Sequence, residues 1–144
     1  MEIPSQHDIN VYNSLDEQSA MCMDFLGKTI EQAEVMIREN PNYYEEGFLW
    51  MGPVAFRYYI QSAIRFMKSD AATGNSSFIH GFISSLEFRL ENDSIELVPV
   101  AEQLAAICDY LIQRYERFNL NPRIYGNLCP QMQVLWQSFI KLMS

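Results

Sequence analysis

Pro53-Val54-Ala55-Phe56-Arg57-Tyr58-Tyr59-Ile60-Gln61-Ser62-Ala63-Ile64-Arg65-Phe66-Met67-Lys68 is the stretch on which the architecture turns. Proline at the first helical turn gives up only an N–H that the helix leaves unpaired there, so Pro53 reads as a helix start. Ten residues between Val54 and Met67 are apolar or aromatic and cover most of a helical circumference. Apart from the small Ser62, the polar residues are Arg57, Gln61, Arg65 and Lys68, which fall on one stripe. A helix this greasy has to be packed on most of its sides. It is expected to be the centre of an all-α, single-domain irregular bundle of about six helices.

The flanking segments carry helical periodicity too. Upstream, Ser14-Leu15-Asp16-Glu17 has the S-x-x-E pattern of a capping box, and Leu15, Cys22, Phe25 and Leu26 follow on an inner side. Gly27 is placed to end that helix. Thr29-Ile30-Glu31-Gln32 starts another, which Asn40-Pro41 must stop near Glu39. Residues 42–52 read as an irregular connector. Downstream, Ser76 or Ser77 caps a helix to about Glu91, and Pro99 begins one running to Phe118. Pro130 opens the last, with Met132, Leu135, Trp136, Phe139, Ile140 and Met143 on one face. Ile95 to Val98 is the one stretch with a weak extended signal. Residues 1–13 are expected to be a loosely packed N-terminal arm of a domain spanning 1–144.

Composition bounds the function. The 144 residues are 49 % hydrophobic and 19 % charged, which excludes a disordered chain. The formal net charge of −8 argues against nucleic acid, whose binders present a basic face. The excess is local: residues 1–52 hold ten acids against Lys28 and Arg38, while residues 53–144 balance. Such a third reads either as a solvated layer or as a face that steers a cationic partner. Cys22, Cys108 and Cys129 are an odd, widely spaced set, which suits reduced thiols in the cytoplasm. Met1 to Asp8 lacks the basic start and apolar run of a signal peptide, and no apolar run is long enough to span a membrane.

Motifs with chemistry are sparse. Gly27-Lys28-Thr29 resembles the end of a phosphate-binding loop, but Cys22 stands where the pattern needs glycine. With only His7 and His80, no paired-histidine metal spacing exists, so no metal or cofactor is expected. Glu87 and Glu91 share a helical face, where an arginine partner such as Arg57 or Arg65 explains them better than acid–base catalysis.

Two constellations remain as candidate binding sites. Tyr43-Tyr44-Glu45-Glu46-Gly47-Phe48-Leu49-Trp50 combines aromatics and acids in a connector, and aromatic anchors give contact area at low entropic cost. Its alternative role is to plug the core. A cleft lined by Arg57, Tyr58, Arg65 and Glu87 would hold an anionic ligand.

Trp50-Met51-Gly52-Pro53-Val54-Ala55-Phe56-Arg57-Tyr58-Tyr59 resembles a run found in a group of small bacterial proteins of unassigned function. Phe25-Leu26-Gly27-Lys28-Thr29 and Leu86-Glu87-Phe88-Arg89-Leu90-Glu91 resemble stretches of the same group, so the likeness covers about residues 25–91. It implies a cytoplasmic bacterial domain and carries over no site residue. The function expected from all of this is non-catalytic binding, of adaptor or immunity type. The partner would be a basic or apolar protein, met through the acidic third and the Tyr43, Tyr44, Glu45, Glu46 and Trp50 segment; a homodimer is a variant. A small enzyme or anionic-ligand binder using the Arg57 cleft is the competing expectation.

Overall fold

The computed structural model describes residues 2–144, and among these every regular element is helical. The protein is all-α. Its contacts gather into two compact units, Met1–Ala72 and Thr73–Ser144.

The first unit opens with α1 (Gln6–Ile9), closed by a capping box. The Ser5 hydroxyl accepts from the Asp8 N–H at 3.2 Å, and the Asp8 carboxylate accepts from the Ser5 N–H at 2.9 Å. Pro4 and Ile9 are buried, so the loose arm expected over residues 1–13 is instead docked along this stretch. The docking ground is the start of α6: the Gly52 N–H donates to the Ile9 carbonyl at 3.0 Å. A Cβ at Gly52 would lie 2.2 Å from the Asp8 carbonyl oxygen, so only glycine admits this approach.

α2 (Glu17–Cys22) starts later than the Ser14–Glu17 pattern implies. Asp16 is the N-cap and accepts from the Ser19 N–H at 2.7 Å. Ser14 is engaged elsewhere, exchanging two hydrogen bonds with the Asn10 side chain. Leu15 therefore precedes the helix and is 99 % exposed, not inward. A 3-10 turn, Met23–Phe25, follows, and Gly27 leaves it at φ +76°. Leu26 points largely outward as well.

α3 (Ile30–Glu39) has its expected box, with Thr29 and Gln32 bonding each other's backbone N–H. The connector over 42–52 is more ordered than expected, holding the single turns α4 (Pro41–Tyr44) and α5 (Gly47–Trp50). α6 (Pro53–Lys68) matches its expected bounds and buries Ala55, Phe56, Tyr58, Tyr59, Ile60, Ala63, Phe66 and Met67. Val54 joins Arg65 and Lys68 on the exposed stripe. α1, α3, α5 and a 3-10 turn at Asp70–Ala72 pack on α6. The buried Ser62 hydroxyl is satisfied by donating to the Ile30 carbonyl at 2.8 Å.

The second unit comprises α7 (Ser76–Asp93), a 3-10 helix at Ser94–Val100, α8 (Ala101–Gln113), a 3-10 turn at Tyr115–Phe118, α9 (Pro122–Tyr125) and α10 (Cys129–Leu142). Ile95 to Val98 is thus 3-10 helix, not extended, and Pro99 lies inside that helix while α8 begins at Ala101. α8 and α10 form the most extensive pairing of this unit. α10 buries Met132, Leu135 and Phe139. Trp136, Ile140 and Met143, expected on the same face, are 39 %, 40 % and 50 % exposed. Trp136 and Ile140 each follow a residue of the buried stripe by one position, which turns them about 100° away around the helix, and Met143 is the C-cap beyond its end.

Candidate functional site

The acidic, aromatic connector divides into an inward and an outward set. Asn40-Pro41 ends α3 and turns the chain into α4, where Tyr43 and Tyr44 diverge. Tyr44 is buried, edge-on to Phe25 at 5.5 Å, and its hydroxyl donates to the Asp24 carboxylate at 2.9 Å. Burial, then the Asp24 charge, push its pKa up to about 12. Phe48 and Met51 are also buried. Tyr43 and Trp50 are each 51 % exposed, and Glu46 is exposed beside a half-buried Glu45. The core-plugging role thus falls to Tyr44 and Phe48, while Tyr43 and Trp50 are left partly exposed.

An open groove of about 440 Å³ lies between α2 and α4. Glu17, Gln18, Ala20, Met21 and Tyr43 line it. Tyr43 rests edge-on against Tyr44 at 4.9 Å, and Tyr44 is in turn pinned by Asp24, so this wall is held in place. The floor is firm too: Met21 packs toward Gly47, and the neighbouring Cys22 thiol donates to the Gly47 carbonyl at 3.6 Å. Glu17 and Gln18 were not expected as site residues. The signal was the run Leu15-Asp16-Glu17: with Asp16 as N-cap, Glu17 moves to the first helical position, where no cap claims its carboxylate.

The residues expected to line an anionic cleft are placed differently from one another. Tyr58 is buried, 5 % exposed, with its ring edge-on to Tyr59 at 4.8 Å. Arg57 is half-buried on the α6 stripe. Arg65, two turns further, pairs with Glu31 at 3.4 Å and Glu34 at 3.9 Å of α3. Glu87 is exposed on α7, in the second unit, and accepts from the Gln131 amide of α10 at 3.4 Å. In the first unit, then, the acid partners of Arg65 come from α3.

The remaining chemical candidates have structural occupations. In Gly27-Lys28-Thr29 the Lys28 N–H donates to the Phe25 carbonyl and Thr29 caps α3, so these groups do not cradle a phosphate. None of the three cysteines is in a disulfide; Cys22 and Cys108 are buried. Burial pushes the Cys108 thiol up to about 12, and raises Cys129 as well. His80, exposed on α7, lies 4.9 Å from the Tyr125 ring. Among the described residues no three His, Cys, Asp or Glu side chains are grouped to hold a metal ion, and no helix is long and apolar enough to cross a membrane. No family model, curated protein or solved structure matches the chain.

Proposed function

We propose that this chain is a non-catalytic protein-binding protein of adaptor or immunity type, acting in the bacterial cytoplasm, and that it docks a basic protein partner on residues 1–72. The observation that carries the reading is the exposure of Tyr43 and Trp50, half uncovered on a segment whose other aromatic side chains are buried. Large aromatics supply most of the affinity of an interface when they are desolvated by a partner. The ten acids of residues 1–52 surround them in sequence with only Lys28 and Arg38 to offset the charge, which favours fast encounter with a cation-rich surface. Three cysteines outside any disulfide suit a reducing compartment.

The competing reading, an anionic-ligand cleft, has weaker support. Tyr58 is buried and Arg65 already carries two carboxylates. A homodimer built from the same aromatic surface is a variant that light scattering decides.

The test is affinity capture from the source cell with the wild type and with a Tyr43→Ala/Trp50→Ala variant. A basic protein is expected with the wild type and is lost with the variant. Raising salt from physiological strength to about 1 M shortens the screening length from roughly 8 Å to 3 Å and should weaken the capture. Capture that ignores both the substitutions and the salt would contradict the proposal.

A further inference from the structure

We infer that the groove between α2 and α4 is a seat for one arginine side chain of the partner. The inference rests on the protein-binding reading above and narrows it to a chemistry.

Each wall matches a part of that side chain. The Tyr43 ring, 51 % exposed and braced by Tyr44, offers a π surface to a planar cation. Glu17, at the first position of α2, makes no ion pair among the described residues and offers a carboxylate to the guanidinium fork. Gln18 brings a carboxamide oxygen, an acceptor for a further N–H. Ala20 and the buried Met21 give an apolar floor for the methylene stem.

Charge complementarity selects the occupant. The two elements forming the groove, with their caps and following turns, carry Asp16, Glu17, Asp24, Glu45 and Glu46. No lysine or arginine occurs before Lys28, nor between Arg38 and Arg57. Of the four cations on α3 and α6, Arg38 and Arg65 are engaged with Glu34 and Glu31. An anionic or purely apolar segment would meet this acidity unfavourably. Arginine fits better than lysine because its guanidinium is flat and more weakly hydrated, so it stacks and forks at once.

The test is a backbone-amide NMR titration with the peptide Gly-Arg-Gly-Arg-Gly-Arg, its ends blocked, against the same peptide with lysine for arginine. Expected are shifts centred on residues 17–21 and 43, with the arginine peptide the tighter of the two. Tyr43→Ala and Glu17→Gln should each weaken binding about two- to fivefold, as for cation–π and ion pairs at exposed sites. Tyr43→Phe should keep it, since the ring remains, and Val35→Ala, at an exposed position of α3 outside the groove, should leave it unchanged. All three positions are exposed, and the amide spectrum of each variant reports its folding. Equal binding of both peptides, or weakening by Val35→Ala as large as by Tyr43→Ala, would overturn the seat and leave the wider acidic surface standing. No shift at all with the wild type would also overturn the seat, while the capture experiment judges the wider reading separately.

Discussion

The Tyr59 hydroxyl stands 2.6 Å from the Phe25 carbonyl oxygen, and the two rings lie 4.9 Å apart. The same hydroxyl is 2.8 Å from the Lys28 carbonyl. One side chain of α6 thus closes the turn at Gly27, where the chain leaves one helical segment for the next. Tyr59 is fully buried, so removing its hydroxyl takes away the one proton these two carbonyls share, and only the Phe25 carbonyl keeps a second donor, the Lys28 N–H. Tyr59→Phe should cost about 1–3 kcal/mol, the usual penalty for stranding buried polar groups. Urea unfolding checks this: the midpoint should drop while the slope stays constant.

Gly52 makes a second, steric prediction. A Cβ there would meet the Asp8 carbonyl at 2.2 Å and the Val11 side chain at 2.5 Å. Neither the backbone nor a branched side chain yields cheaply, so Gly52→Ala should push α1 off the start of α6 and uncover Ile9. A loss of about 1–3 kcal/mol is expected, as for other overpacked sites. Hydrogen exchange should show protection lost first at the Ile9 and Asn10 amides, which are bonded to Ser5 and Gln6.

These two contacts mark how far the sequence could be read. α3 and α6 were legible to the residue, because Thr29 with Gln32 and Pro53 announce their starts and Asn40-Pro41 announces a stop. Leu15 was misread because two caps, Ser14 and Asp16, compete within three residues, and Asn10 decides between them by bonding Ser14. Trp136, Ile140 and Met143 were misread because α10 offers two adjacent apolar stripes and periodicity does not rank them. Tyr43 and Trp50 were found as candidates from composition. Glu17 was not, since its freedom depends on which residue caps α2. The docking of α1 depends on a backbone approach at Gly52, which no local pattern encodes.

Two tyrosines set an alkaline limit. Burial pushes Tyr44 and Tyr59 up to about 12 from an ordinary value of 10. The unfolded chain therefore releases protons between these values that the folded chain retains, and stability falls as pH rises through that window. Below pH 10 the contribution is complete. Urea midpoints measured from pH 9 to 12 should decline, and a Tyr44→Phe/Tyr59→Phe variant should decline less steeply. Equal slopes would contradict the assignment.

Thiol chemistry separates the three cysteines. Cys22 and Cys108 are buried away from a reagent, and burial holds the Cys108 thiol near 12, so Cys108 presents no thiolate at neutral pH. Cys129 is half-buried at the start of α10 and is the site at which a bulky aromatic disulfide reagent should react in the native protein. Peptide mapping should place the first adduct on Cys129, with the others labelled only after unfolding. Native labelling of Cys108 would show that its surroundings open.

The most direct measurement is the affinity of the captured partner for the wild type, Tyr43→Ala and Trp50→Ala, by calorimetry at low and high salt. Both aromatics should act as anchors, each alanine weakening binding by about tenfold or more, since hot-spot truncations exceed roughly 1–2 kcal/mol. The wild-type affinity should fall as salt screens the acidic first third. Affinity indifferent to both aromatics, with acids of residues 1–52 replaceable at no cost, would place the binding surface elsewhere and refute the account.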